Sequence, residues 1–388
     1  MGVIRADGVT TLSARFRTLA TRVSSRDYNN DRDLTKSSAR VWLILTKCRR
    51  EEASDPRDKI FGLFAILNGL GLTISTPDYS KTPATVYEEL TVRFIQQFKH
   101  LGLLQLVFTF GRHPEVPTWV PDFNDRNFFI GVDTERRLPK TLVNSELLIN
   151  RSPGQLPLRG KRISNITSRL HKGNFTFESL FDFRQSWDGG GYQYHLLLPW
   201  ASVLREWISF VNQANCPFEG DATLLFSWLA SKDHTQDAAE TGAYVPICAK
   251  LIGNMVVSET EIIPRDELNM CRGFEGLPNT PDGVFVYLRM GDHYRLNLNE
   301  REWIGSCFDV ICEQTLIVLS SGHIGRVSYS TEDTDIVVWF AGAHLPMVIR
   351  PVGENYIVIG PAYIHGLKEN DVWEDEEDIT ELEIFTLL

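Results

Sequence analysis

Residues 315–367 read TLIVLSSGHIGRVSYSTEDTDIVVWFAGAHLPMVIRPVGENYIVIGPAYIHGL. Runs rich in Val, Ile, Tyr and Phe alternate here with glycine and proline. Residues 316–319, 324–329, 336–341, 346–350, 356–359 and 362–365 each have strand length, and Gly322, Gly342, Gly353, Gly360-Pro361 and Gly366 separate them. β-Branched and aromatic side chains suit a pleated, half-buried surface, while glycine and proline end such runs. Short strands at this spacing predict a small antiparallel barrel or sandwich. This block of strands alone leaves unpaired edges and an unburied apolar face.

Partners occur far upstream. Residues 147–149, 156–158 and 163–166 read as further strands, punctuated by Ser152-Pro153-Gly154 and Gly160. Helical pattern surrounds them. Residues 37–50 carry Val41, Leu43, Ile44 and Leu45 ahead of Lys47, Arg49 and Arg50, which suit a helix C-terminus. In Asp55-Pro56-Arg57-Asp58, Asp55 is expected to cap a helix, with Pro56 at its first position and Asp58 in its first turn. Ile60, Phe61, Phe64 and Leu67 supply the stripe. Thr82-Pro83 repeats the device ahead of Val86, Leu90, Phe94, Phe98 and Leu101, and three prolines then force irregular chain around Trp119. Trp200, Val203, Leu204, Trp207, Ile208 and Val211 fit another helix, and Leu224, Leu225, Trp228 and Leu229 a further one.

The expected class is therefore α+β: a helical scaffold with a small antiparallel C-terminal β-barrel that is discontinuous in sequence. Its parts are a basic, disordered segment 1–36, a helical region 37–127, first barrel strands 128–172, a helical insertion 173–312, C-terminal barrel strands 313–368 and an acidic tail 369–388. At 388 residues the chain can bury a core without staples.

The net charge is −11. Residues 1–50 carry eleven Lys/Arg against four Asp/Glu, so the remainder carries −18; residues 369–388 hold nine acids and no base. That balance disfavours a phosphate-backbone partner, so no nucleic acid is expected. The six cysteines, Cys48, Cys216, Cys248, Cys271, Cys307 and Cys312, form no CxxC pair and read as reduced thiols. No apolar run is long enough to span a bilayer. The expected location is cytoplasmic. The alternative is mitochondrial, because residues 8–26 hold four arginines and no acid.

No GxSxG, HExxH or P-loop occurs, and Gly69-Leu70-Gly71 lacks the third glycine of a dinucleotide fingerprint. Asp55 and Asp58 read as helix-start residues rather than paired acids, Cys307 and Cys312 as a packed face, and His365 as a structural partner of a backbone carbonyl. Gly189-Gly190-Gly191, beside Tyr192 and Tyr194, reads as a turn. No catalytic, cofactor-binding or metal residue is assigned, and no cofactor is expected.

Several segments resemble, in order, the fungal heterokaryon-incompatibility (HET-domain) proteins. Asp55-Pro56-Arg57-Asp58-Lys59-Ile60-Phe61-Gly62-Leu63 is similar to the stretch that follows the family's N-terminal domain. Pro77-Asp78-Tyr79-Ser80, Val86-Tyr87 and Trp119-Val120-Pro121-Asp122-Phe123 come next, with Phe123 where the family has Trp. Gly160 with Ile163 and Ile166, then Gly322 and Gly325, residues 346–351 and residues 360–366 resemble its later strands. The family's effector domain, a TIR-like α/β module, precedes the first of these. Only 54 residues precede Asp55, and none of that module's signatures is among them.

The resemblance therefore implies a truncated relative: a non-catalytic recognition or regulatory protein of self/non-self recognition and cell-death signalling. Its expected partner is a protein, such as a full-length member of the family. The alternative class is an enzyme or accessory protein of a fungal metabolic pathway, using a cleft between barrel and helices. Shifted-pKa groups in a concave pocket favour the enzyme, and an exposed apolar patch favours the binder.

Overall fold

The computed structural model describes residues 34–49, 51–107, 112–124, 151–170, 314–374 and 378–388, with Val143 and six residues between 206 and 214. The expectations placed on residues 1–33, on the strand at 147–149 and on most of 173–312 lie outside the described residues. They include those for Trp200, Trp228, the five cysteines after Cys48 and the Gly189 turn.

Two compact units divide the chain. The first comprises residues 1–165, 330–362 and 367–388, and the second 166–329 and 363–366. The class is α+β, with few helices among the described residues and eight mostly antiparallel strands.

In the first unit, helix α1 (Leu34–Cys48) buries Val41, Ile44, Leu45 and Cys48. The DPRD segment makes two short helices rather than one, α2 (Asp58–Phe61) and α3 (Phe64–Gly69). The helix starts later than expected, since the residue preceding α2 is Arg57, which makes no side-chain cap. The carboxylate of Asp55 does hold a free main-chain amide ahead of it, accepting the Arg57 N–H at 2.9 Å, and it also accepts the Arg57 guanidinium. At α4 (Pro83–Phe98) the device works as read. Thr82 has extended backbone, its side chain accepts the Thr85 N–H at 3.2 Å, and Pro83 opens the helix. Lys99, left-handed at φ 61°, ends it. A buried 3₁₀ turn, Gly102–Leu106, follows. Trp42 donates to the Gly102 carbonyl and Arg49 to that of Leu106, tying α1 to this turn.

The strands are β1 (Leu156–Arg169), β2 (Gln314–Leu319), β3 (Ile324–Ser328), β4 (Ile336–Phe340), β5 (Met347–Val352), β6 (Asn355–Pro361), β7 (Tyr363–Ile364) and β8 (Glu383–Leu387). In the first unit, β4, β5, β6, β8 and β1 are neighbours in that order, and a further β1–β4 pairing closes them into a ring. Gly160 pairs with Phe340 on β4 and with Glu383 on β8. Among the described strands only β6 and β8 run parallel, at Tyr356↔Leu387. Helices and ring share one apolar core, in which Leu90, Phe94, Trp119 and Leu104 join Leu158, Val338, Ile349 and Phe385.

The second unit takes the end of β1, whose Ile166 and Arg169 pair with Leu319 and Ile317. β3 lies between β2 and β7. Arg326 of β3 is fully buried, its guanidinium 5.0 Å from the centre of the Tyr363 ring, and burial pulls its pKa down to about 9. Trp207 and Val211, both expected on a helix, are helical and buried.

Three further differences have plain causes. Residues 156–158 and 163–166 are one strand, because Gly160 continues it where a side chain would not fit. A Cβ there would stand 2.9 Å from both the Phe340 ring and the Trp339 carbonyl. Gly360-Pro361 forms the end of β6, and Ala362 alone separates that strand from β7. The acidic stretch 369–388 is more than a tail, since it contains a helix, α5 (Glu369–Val372), and strand β8. Trp373, Phe385 and Leu387 anchor it in the core.

Candidate functional site

Arg57 is the hub of the DPRD segment. Its Nε lies 2.9 Å and its Nη2 2.6 Å from Asp55 carboxylate oxygens, while Nη1 donates to the Tyr79 carbonyl at 2.5 Å and the Lys81 carbonyl at 2.9 Å. The fork geometry of a guanidinium suits this double duty. The Arg57 side chain holds the Asp55 carboxyl below the usual range. Asp58 accepts the Tyr79 hydroxyl at 2.5 Å, and this bond pushes the tyrosine up to about 12. The Tyr79 ring, 55 % exposed, meets Phe61 edge-on at 5.1 Å and lies beneath the Arg57 cation. Asp78 accepts from the Ser80 N–H and hydroxyl, and its carboxyl is lowered.

The other segments converge on the same place. The Tyr87 hydroxyl donates to the Pro56 carbonyl at 2.8 Å, and its buried ring meets Phe123 at 5.2 Å. Trp119, fully buried, donates to the Gly154 carbonyl, and Arg151, paired with Glu88 at 2.6 Å, lies over its ring. Residues 55–63, 77–80, 86–87 and 119–123 thus form one clasp. Its carboxylates are spent on internal partners: Asp55 and Asp58 are brought close in sequence but serve different groups.

Beside the clasp, α4 and residues 74–78 border a shallow open cleft enclosing about 20 Å³, room for a water molecule. Ile60, Phe61, Ile74, Val86 and Leu90 form its apolar side; Asp78, Lys81, Glu89 and Arg93 are its charged groups. Lys81 and Glu89 pair at 2.7 Å.

Other sequence candidates sit apart. Cys48 is buried in α1, and burial pushes its thiol up to about 12. The main-chain N–H of His365 donates to the Ile324 carbonyl, and burial lowers its ring to about 4. Among the described residues no three His, Cys, Asp or Glu side chains gather in a metal-binding cluster, and no helix is long and apolar enough to cross a membrane. The sequence reading missed Arg57 as a hub and the buried pair His100 and His344. A cation between two aspartates was the available signal for the first; the histidines, 244 residues apart, gave none.

Set against known proteins, the chain matches no family profile, no curated protein and no solved structure.

Proposed function

We propose that the chain is a non-catalytic recognition or regulatory protein related to fungal heterokaryon incompatibility. On this reading it acts in the cytoplasm on a protein partner, a full-length member of that family. The five-stranded ring is read as a small barrel, discontinuous in sequence, with the helices as its scaffold. One observation carries the reading: the first four segments that resemble the family gather in one clasp. Arg57 ties the DPRD segment to residues 79 and 81, and Tyr87 and Phe123 complete the cluster. Their shared order in sequence thus has a shared physical reason, a common scaffold.

The test uses two measurements on the purified chain. Because the resemblance assigns NAD-directed activity to the family's effector module and not to these segments, the chain incubated with NAD is expected to release no nicotinamide above buffer. A full-length family member immobilised on a sensor is expected to bind it saturably. Protein-dependent nicotinamide release, or no binding, contradicts the proposal.

A further inference from the structure

The chain holds four Ser/Thr-Pro pairs: Thr76-Pro77, Thr82-Pro83, Ser152-Pro153 and Thr280-Pro281. A hydroxyl residue followed by proline is the acceptor pattern of proline-directed protein kinases. The physical basis is a missing amide. Proline brings no N–H to a kinase pocket that offers it no acceptor, whereas any other residue leaves a donor unpaired there. Thr280 lies outside the described residues, and the structure separates the other three.

Thr82 is engaged. Its hydroxyl accepts the Thr85 N–H at 3.2 Å, and the chain after it is already helical, since Pro83 opens α4. Ser152 opens a tight turn: its carbonyl accepts the Gln155 N–H at 3.1 Å, and Gly154 is left-handed at φ 76°. A kinase cleft takes a segment that is extended on both sides of the acceptor, and neither of these residues lies in one.

Thr76 differs on each count. Residues 72–78 form no helix, strand or turn. Thr73, Ser75, Thr76 and Pro77 are exposed, and a proline favours extended backbone in the residue before it. The Thr76 hydroxyl has no hydrogen-bond partner among the described residues. The Ile74 N–H, which donates to the Asn68 side-chain oxygen at 3.3 Å, is the main-chain tie of this stretch among the described residues. So few ties make local opening into a kinase cleft inexpensive.

We propose that Thr76 is a phosphorylation site for a proline-directed serine/threonine kinase, with a nucleoside triphosphate as donor. The Thr76 Oγ1 forms the new bond to the γ-phosphorus, and the bond from that phosphorus to the bridging oxygen breaks. The nucleoside diphosphate leaves, and the hydroxyl proton passes to the kinase's own carboxylate. The product changes the charge of the surface. Around the adjoining cleft, Asp78 and Glu89 balance Lys81 and Arg93. A phosphate adds about −1.5 to −2 at pH 7, so the modification turns a balanced surface anionic. The inference does not rest on the recognition reading above.

The full chain is incubated with magnesium ATP and, in parallel, with proline-directed kinases of the cyclin-dependent and mitogen-activated classes. Tandem mass spectrometry maps the phosphate over time. Thr76 is expected to be modified, and faster than Thr82, Ser152 or the neighbouring Ser75. Pro77→Ala restores an amide N–H that the kinase pocket leaves unpaired, and is expected to slow the reaction at Thr76 roughly tenfold. Circular dichroism checks that this surface variant folds. No phosphate on Thr76 with either kinase, a faster reaction at Thr82, Ser152 or Ser75, or an unchanged rate in Pro77→Ala overturns the proposal.

Discussion

At the scale of single residues, Arg57 shows how one side chain can hold two segments together. Its fork bridges Asp55 to the carbonyls of Tyr79 and Lys81. Arg57→Lys keeps the charge but not the fork, so it is expected to lower the melting temperature more than Asp55→Asn, which removes charge but not acceptor oxygen. A melting curve for Arg57→Lys that overlies the wild type would dismiss the clasp.

His100 and His344 carry a second residue-scale expectation. Their rings are 5.7 Å apart, and the His100 Nδ1 accepts the Gly102 N–H at 3.1 Å. Burial lowers both, His100 to about 3 and His344 to about 4. Both are therefore neutral in the fold, whereas in the unfolded chain they take protons near pH 6.5. Their contribution is complete above pH 6.5 and is lost as pH falls toward 3–4. Denaturant titration of wild type and His100→Phe at pH 7 and 4.5 is expected to show a larger acid loss in the wild type, by on the order of 3 kcal/mol. Equal losses would show that His100 is not held neutral.

At the scale of elements, α4 and the C-terminal strands were legible because their signals are local. Thr82-Pro83 starts a helix by its own chemistry, and Ile336–Phe340 has the composition of a buried strand. β8 was hidden because its acids dominate the composition of the stretch. Only the alternation in Glu383–Leu387 marks it, and its inward residues Phe385 and Leu387 are fully buried. Phe385→Ala is expected to cost about 3–5 kcal/mol, measured by denaturant unfolding. A loss below about 1 kcal/mol would mean that the strand is not anchored there. Gly160 was read as a break because sequence shows a missing side chain, not what fills its place. Gly160→Val forces a side chain against Phe340 and the Trp339 carbonyl, and is expected to cost about 1–3 kcal/mol by overpacking. A neutral effect in the same assay would argue against the β1–β4 contact. The clasp was legible as motifs but not as a site, since the bonds from Arg57 to residues 79 and 81 depend on tertiary approach.

At the scale of the molecule, the central claim is that the first unit's ring is closed by a strand from a distant part of the chain. β1 stands between β4 and β8, and both pairings are antiparallel. Without it, β4 and β8 each expose an edge, and Val338, Phe340 and Phe385 lose their cover. The most direct test is the amide spectrum of residues 313–388 produced alone. That segment is expected to precipitate or to give collapsed, undispersed resonances; a soluble fragment with dispersed amides would show that these strands close without β1 and would contradict the account.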